Sequence, residues 1–139
     1  SSFSVILPPI IMSRPDFNLT ISIPETELRV NDEGKQYTAY HVQVGSHSCK
    51  TQRTIEWRVL RRYSEFLELS QQLRRDFPRE MRDVPFPPKR LLGRFNPDFV
   101  EDRRYHLQQF LEQTMEHADI INQSTALRAF VDIDKNVRI

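Results

Sequence analysis

The chain has 139 residues and a net charge of +1, with 38% hydrophobic and 28% charged residues, a composition typical of one globular domain with a single core. Its apolar runs are too short to span a bilayer, and a lone cysteine, Cys49, excludes an internal disulfide and fits a reducing compartment. Residues 1–12 lack the basic region of a signal peptide.

The positive charge is concentrated in the middle of the chain. Residues 50–104 contain 14 Lys and Arg against 9 Asp and Glu, whereas the remaining residues are net acidic. This uneven distribution is what an anion-binding site would produce. A solvated basic surface without a ligand is the simpler explanation of the count taken alone.

Three stretches of alternating apolar and polar residues predict three strands. The predicted strands are residues 17–23, 40–44 and 55–59. Pro24 is expected to end or bend the first strand, and turns are expected at residues 31–34 and 45–48. The short connections favour an antiparallel meander.

From residue 64 the apolar period becomes helical. Ser64 is expected to cap a first helix, with Glu65 in its first turn and Pro78 as its stop. Further helices are predicted over 97–116 and 124–130, and a polyproline-type stretch over 84–89. A sheet followed by helices belongs to the α+β class, here a three-stranded antiparallel β-meander packed against a helical subdomain with a proline-rich loop between its first two main helices.

The end of the third predicted strand carries Arg61, Arg62 and Tyr63 beside a helix N-terminus. The free N–H groups of a helix N-terminus attract phosphate, and two guanidinium groups add bidentate hydrogen bonds. A tyrosine ring can also face an inositol or sugar ring. A surface basic pair next to a core tyrosine explains these residues equally well.

Two arginines interrupt the apolar stripe of the second main helix. The stripe runs through Leu107, Phe110, Leu111 and Met115. One turn earlier it reaches Arg103 and Arg104, where a cation would be buried at a cost unless it meets an anion. The anion is either a ligand or a protein carboxylate such as Asp102 or Glu65, unless the arginine extends to solvent.

Lys89 directly follows the proline stretch, which restricts the backbone at this point. We therefore expect the Lys89 side chain to have a defined direction. After it, arginines alternate with apolar residues in a predicted loop made of Arg90, Leu91, Leu92, Gly93, Arg94 and Phe95. Such a loop can enter a lipid interface while its arginines meet headgroups. The alternative is that one of the leucines packs into the core.

Three motifs in this order resemble the phox-homology (PX) domain family. They are residues 61–66, 84–89 and 99–104, with the sequences RRYSEF, VPFPPK and FVEDRR. The resemblance covers residues 16–131, which leaves an N-terminal extension at 1–15, expected to be poorly ordered, and a C-terminal tail at 132–139. The resemblance implies a three-stranded antiparallel sheet and a helical subdomain. It also implies a sorting-nexin-like module that binds phosphoinositides, most often phosphatidylinositol 3-phosphate, on the cytosolic face of early endosomes.

The resemblance also implies roles for individual residues. Arg62 resembles the arginine that grips the 3-phosphate, Tyr63 the aromatic residue against the inositol ring, and Lys89 the lysine that contacts the 1-phosphate. Arg103 resembles the arginine that bonds the ring hydroxyls at positions 4 and 5. The loop residues implied to insert into the membrane are Leu91, Leu92 and Phe95, and the supporting basic residues are Arg61, Arg90 and Arg104. The proline motif is shorter than usual, because Lys89 directly follows Pro88.

Other functions are less well supported by the residues. The stretch 85–90 matches the P-x-x-P-x-R pattern of SH3 ligands, which makes an SH3 domain the alternative partner. Acidic residues within the basic half disfavour nucleic-acid binding. With three glycines the chain has little scope for a phosphate loop or a nucleophile elbow, and His47 with Cys49 lacks a second pair for zinc. We therefore predict a membrane-targeting module without catalytic activity, metal or cofactor.

Overall fold

The computed structural model describes residues 17–137, so the predicted N-terminal extension at 1–15 lies outside the described residues. Within this range the elements are, in chain order, β1 Phe17–Val30, β2 Gln36–Ser48, β3 Thr54–Arg62, α1 Tyr63–Asp76, α2 Pro78–Met81, α3 Pro97–Thr114, α4 Ala118–Gln123, α5 Thr125–Phe130 and α6 Ile133–Asn136. The strands pair in the order β1-β2-β3 and both pairs are antiparallel. The predicted α+β class and the β-meander are confirmed.

The two irregular positions predicted in the sheet have different outcomes. Of the two effects expected of Pro24, it bends β1 and does not end it: the strand continues through a register shift between Ser22 and Glu25, because proline has no N–H for the ladder and a bulge accommodates it. Residues 45–48 belong to β2 and form no turn. A side chain at Gly45 would bring its Cβ to 2.6 Å from Thr20 Oγ1, so this glycine marks a close approach of β1 to β2.

The turns that join the strands use local side chains and positive φ angles. The predicted turn at 31–34 is confirmed, since Gly34 has φ +79° and donates its N–H to the Asn31 carbonyl at 2.9 Å. The Asn31 side chain also accepts the amides of Glu33 and Lys35. The turn after β2 lies at residues 49–52, where Gln52 has φ 60° and donates to the Ser48 carbonyl.

Polar groups lie at the start of the main helices, but the residue predicted to cap the first helix is not the one that caps it. Ser64 is not the cap of α1; the helix begins at Tyr63, and the Glu65 carboxylate accepts the Arg62 amide at 2.8 Å. The Asn96 side chain caps α3 and the Ser124 side chain caps α5. Pro78 starts α2 after α1 has ended at Asp76. The short helices α2, α4 and α6 were not predicted.

One apolar core lies between the sheet and the helices. It contains buried residues from β2, α1 and α3, namely Tyr40, Val42, Val44, Phe66, Leu69, Leu73, Leu107, Phe110 and Leu111. Residues beyond 131 contribute as well, since Ile133 and Val137 are buried. Trp57 Nε1 on β3 donates to the Val131 carbonyl at 2.7 Å, which joins the C-terminal segment to the sheet edge. No helix within residues 17–137 is long and apolar enough to cross a bilayer.

Candidate functional site

A cavity of about 270 Å³ lies where β3 continues into α1, next to the segment that connects α2 to α3. Three separate stretches of the chain bring Arg62, Tyr63, Lys89 and Arg103 to its wall. The other residues that line it are Gln36, Tyr37, Thr38, Tyr40, Ser64, Arg90, Leu91, Arg94 and Phe95. The cavity therefore combines aromatic rings with five basic side chains and no carboxylate among its lining residues.

Arg62 is held in place by an aromatic ring on the neighbouring strand. Arg62 pairs with Ala39, and Tyr37 lies two residues before Ala39 in β2. The guanidinium carbon of Arg62 is 4.2 Å from the Tyr37 ring centroid. The Glu65 carboxylate is bound to the Arg62 backbone amide. Within residues 17–137 the guanidinium itself has no hydrogen bond or ion pair, so its N–H edge is free to bind an anion.

Arg103 is only 6% exposed, although it carries a charge. Its guanidinium carbon lies 3.9 Å from the ring centroid of Tyr63 and 4.5 Å from that of Phe99, and Nη2 donates to the Pro88 carbonyl at 2.9 Å. Its Nε has no hydrogen-bond partner among the described residues. Burial lowers the pKa of Arg103, although Tyr40 and Tyr63 beside it act in the opposite direction.

The carboxylates that could have neutralised Arg103 are engaged elsewhere. Glu65 binds the Arg62 amide, and Asp102 lies 3.4 Å from His106 Nδ1 on the surface of α3. A buried cation without a carboxylate is costly, and the cost falls when an anionic or strongly polar ligand arrives. Of the explanations that the sequence left open, two are therefore not observed within residues 17–137: Arg103 pairs with no carboxylate, and its side chain does not extend to solvent.

Tyr40 belongs to this site although its position in β2 indicates only a core residue. It is 2% exposed, and burial raises its pKa to about 12 despite the opposing effect of Arg103. Burial also raises the pKa of Tyr63. Both hydroxyls therefore stay protonated at neutral pH, which keeps the cavity positively charged.

The proline stretch is attached to the site through its carbonyl groups. Tyr63 donates its hydroxyl to the Pro87 carbonyl at 2.7 Å, and Arg103 donates to that of Pro88. The Phe86 ring packs against both Tyr63 and Phe110. Residues 84–91 have no regular secondary structure, but these contacts fix the backbone directly before Lys89. The exposed Lys89 side chain therefore borders the cavity although the proline motif is short.

Comparison with known proteins decides the family. Residues 49–134 match the family model for the PX domain. The chain belongs to the PX domain family. Members are non-catalytic, phosphoinositide-binding modules that target proteins to membranes as peripheral proteins on the cytosolic face.

Relatives in two groups, a protein kinase and a sorting nexin, are similar to most of this PX domain. The chain is 32% identical to serine/threonine-protein kinase Sgk3 of Rattus norvegicus over 83% of this chain and 21% of the kinase. It is 36% identical to sorting nexin-16 of Homo sapiens over 76% of this chain and 28% of that protein. The chain thus spans between a fifth and three tenths of the length of these relatives. The mouse SNX19 PX domain with bound sulphate ion aligns with a TM-score of 0.67 at 26% identity, over 84% of this chain and 98% of that domain.

Two of the three expected supporting arginines lie outside the cavity of this PX domain. Arg61 donates from Nε to the Phe130 carbonyl at 2.9 Å and pairs with Asp132 at 3.7 Å, so it anchors the C-terminal helices. Arg104 donates to the Ile23 carbonyl at 2.6 Å, next to the β1 bulge, and pairs with Glu101. Their expected role at the site is corrected to a structural one, because each is committed to a backbone carbonyl. Arg90 does line the cavity.

Exposed apolar side chains lie in two segments next to residues that line the cavity of this PX domain. Leu91 and Leu92 are 70% and 84% exposed, so neither packs into the core, while Phe95 is half-buried and lines the cavity. Leu28 and Val30 on β1, which the sequence analysis missed, are 55% and 59% exposed. They pair with Thr38 and Gln36, which line the cavity, and only this strand register could have indicated their position.

Proposed function

We propose that this PX domain recognises phosphatidylinositol 3-phosphate and recruits its protein to early endosomal membranes. The observation that carries the proposal is the convergence of Arg62, Lys89 and Arg103 on one cavity that contains no carboxylate among its lining residues. Three cations from separate stretches around a hollow bordered by tyrosines are suited to a ring that carries two phosphates and several hydroxyls.

Each side chain has a distinct role in this proposal. Arg62 binds the 3-phosphate with its free N–H edge, while Tyr37 holds the other side of the guanidinium. Lys89 at the rim binds the 1-phosphate, which connects the ring to the lipid glycerol. Tyr63 borders the inositol ring, and the unpaired Nε of Arg103 donates to the 4- or 5-hydroxyl. Charge-assisted hydrogen bonds contribute about 1.5–3 kcal/mol each.

The state of Arg103 supports a ligand with hydroxyls at positions 4 and 5. One of its nitrogens already donates to the Pro88 carbonyl, and its planar group lies against the Tyr63 and Phe99 rings. Arg103 is only 6% exposed, so the limited space beside its free Nε–H suits a hydroxyl better than a bulkier phosphate group. We therefore expect phosphorylation at position 4 or 5 to weaken binding.

The rim of the cavity supports contact with the membrane surface itself. Leu91 and Leu92 are exposed in the loop that follows Lys89, and the exposed Leu28 and Val30 pair with strand residues that line the cavity. Full burial of such a side chain contributes about 1.5–3 kcal/mol, and each basic residue near an anionic leaflet adds about 1 kcal/mol. Association and ordering costs offset several kcal/mol of this gain, so the isolated domain has modest affinity and strong recruitment requires avidity.

Vesicle sedimentation across all phosphoinositide isomers tests the proposal. We expect the native chain to prefer phosphatidylinositol 3-phosphate and Arg62→Ala to lose that preference. Arg75→Ala is the matched control, because Arg75 is exposed on α1, outside the cavity lining, and its removal changes the net charge equally. Equal binding to every isomer, or equal effects of the two substitutions, would contradict a specific pocket.

The SH3 alternative rests on the same proline stretch. Pro85 and Pro88 are exposed, which favours it, but the carbonyls of Pro87 and Pro88 are already bonded within the domain and Arg90 lies against the Phe99 ring at 4.4 Å. We expect Pro85→Ala to abolish any binding to a set of SH3 domains and to leave lipid binding intact. No binding by the native chain in that assay removes this alternative.

A further inference from the structure

The loop tip between Lys89 and Asn96 is bonded to itself by its own arginines. Arg90 Nε donates to the Leu92 carbonyl at 2.7 Å, and Arg94 Nη1 donates to the Leu91 carbonyl at 3.3 Å. The Asn96 amide donates to the Gly93 carbonyl at 3.1 Å. Three consecutive carbonyl groups, those of residues 91–93, are therefore paired inside the loop.

The backbone amide groups of the same loop tip, unlike its carbonyl groups, are not paired within the described residues. Among residues 17–137, the backbone N–H groups of Leu91, Leu92, Gly93, Arg94 and Phe95 have no hydrogen-bond partner. The loop thus presents free donors, while its acceptors at residues 91–93 are covered. The two most exposed leucines of the described chain carry two of the covered carbonyls.

This asymmetry matches the chemistry of a lipid interface. Phosphodiester and ester-carbonyl oxygens accept hydrogen bonds, and at the depth of the glycerol groups water becomes scarce. A backbone carbonyl moved there without a donor loses its hydrogen bonds to water at a cost, whereas an N–H group finds lipid oxygens. A loop with covered carbonyls and free amides can move inward without leaving its acceptors unpaired.

We propose that Arg90 and Arg94 are positioning residues for membrane insertion, which cover the carbonyls of Leu92 and Leu91 so that both side chains enter an acceptor-rich lipid interface. Their positive charge is a separate contribution. This inference rests on the proposed membrane-binding function and adds a requirement for guanidinium geometry, because an ammonium group is a compact and strongly hydrated point charge.

Two neighbours fix Arg90 in this arrangement. Its guanidinium carbon lies 4.4 Å from the Phe99 ring centroid, on the first turn of α3. Gly93 has φ +69°, and a Cβ at this position would lie 3.2 Å from Arg90 Nη2. A side chain at 93 would therefore strain the backbone and crowd the guanidinium, so Gly93 permits the bond to the Leu92 carbonyl.

The test uses variants that keep the net charge and both leucines. Arg90→Lys with Arg94→Lys removes the guanidinium geometry, and Gly93→Ala crowds Arg90 without touching any arginine. Arg75→Lys with Arg79→Lys is the control, since both residues are exposed and outside the cavity lining. The readouts are partition into phosphatidylcholine vesicles containing phosphatidylinositol 3-phosphate, the maximum insertion pressure into a monolayer of the same lipids, and affinity for soluble inositol 1,3-bisphosphate.

We expect the double lysine variant to partition about tenfold less, which corresponds to about 1.4 kcal/mol, and to insert at lower pressure. Gly93→Ala changes both in the same direction, and the control pair behaves as the native chain. If the double lysine variant inserts like the native chain, only charge matters and the inference is wrong. Because Arg90 and Arg94 also line the cavity, the affinity for the soluble headgroup is compared for Gly93→Ala, which keeps both arginines and lies outside the cavity lining. If that affinity falls by the same factor as partition, the arginines act in the cavity and the inference is also wrong. A native chain that binds neither headgroup nor vesicles refutes the proposed function together with the inference.

Discussion

Replacing Arg103 by methionine separates a ligand-binding arginine from a structural one. Methionine keeps an unbranched, flexible side chain that replaces the aliphatic part of arginine, but it removes the guanidinium and its charge. Arg103 is 6% exposed and has no carboxylate partner among the described residues, and under the proposed function its burial serves the ligand more than the fold. We expect Arg103→Met to weaken headgroup binding strongly while changing the stability of the domain little.

The magnitude follows from three contributions to the free energy of unfolding. Loss of the donor to the Pro88 carbonyl costs about 1–3 kcal/mol, and loss of the stacking on Tyr63 and Phe99 costs about 0.5–2 kcal/mol for each ring. Removal of a buried, unpaired cation returns several kcal/mol, and sulfur–aromatic contacts replace part of the stacking. The net destabilisation should stay below about 1 kcal/mol, against about 3–5 kcal/mol for breaking a buried ion pair.

Urea unfolding gives the stability, and calorimetric titration with inositol 1,3-bisphosphate gives the affinity. The lost charge-assisted hydrogen bonds should lower the affinity about ten- to hundredfold. Arg61→Met is the matched control, because this arginine bonds the Phe130 carbonyl and Asp132 outside the cavity. It should destabilise the domain by about 1–3 kcal/mol and leave the affinity unchanged. If Arg103→Met destabilises the domain by 3 kcal/mol or more, or binds like the native chain, the interpretation of Arg103 as a ligand-directed cation is refuted.

Three further predictions concern the surroundings of the site and the sheet. Tyr37→Leu should weaken headgroup binding several-fold because Arg62 loses its stacking partner, whereas Tyr37→Phe should bind like the native chain. Equal losses of affinity in calorimetry would show that the aromatic ring is not what matters. The pKa of Tyr40 is about 12 in the folded chain against 10 in the unfolded chain, so the unfolded chain loses this proton first as the pH rises. The contribution of Tyr40 to the free energy of unfolding is therefore complete below pH 10 and is lost between pH 10 and 12. Urea unfolding over this range should show a loss on the order of 2–3 kcal/mol that is absent in Tyr40→Phe. Gly45→Ala should destabilise the domain by about 1–3 kcal/mol, and the companion change Thr20→Ala should restore most of it; no restoration would mean that the close contact is not the cause.

The elements that sequence patterns predicted are those in which local chemistry and tertiary packing agree. The alternation in β2 places Tyr40, Val42 and Val44 on the core side, and the Asn31–Gly34 turn has side-chain and φ requirements that few other residues meet. Gly45 was misinterpreted because a glycine within a strand resembles a turn until the approach of Thr20 is known. That approach depends on the partner strand, which no local pattern contains.

The candidate site shows the same division between local and long-range information. Arg61 and Arg62 are neighbours on a strand, so they point to opposite sides, and local residues alone do not say which one faces a ligand. Arg103 and Arg104 present the same ambiguity on α3. The motif resemblance selected Arg62 and Arg103, and both line the cavity. Tyr37, Leu28 and Val30 could not be predicted from local patterns. The register of β2 with β3 brings Tyr37 beside Arg62, and the register of β1 with β2 places Leu28 and Val30 opposite residues that line the cavity.

The most direct measurement of the central claim is a titration of the isotopically labelled chain with soluble, short-chain phosphatidylinositol 3-phosphate, followed by nuclear magnetic resonance. The largest chemical-shift changes should fall on Tyr37, Arg62, Lys89 and Arg103, including the side-chain Nε–H of Arg103, which gains a partner. Changes confined to the groove between α1 and α5, where Arg75 and Ala129 lie, or no saturable change at all, would contradict the claim that these cations form one headgroup site.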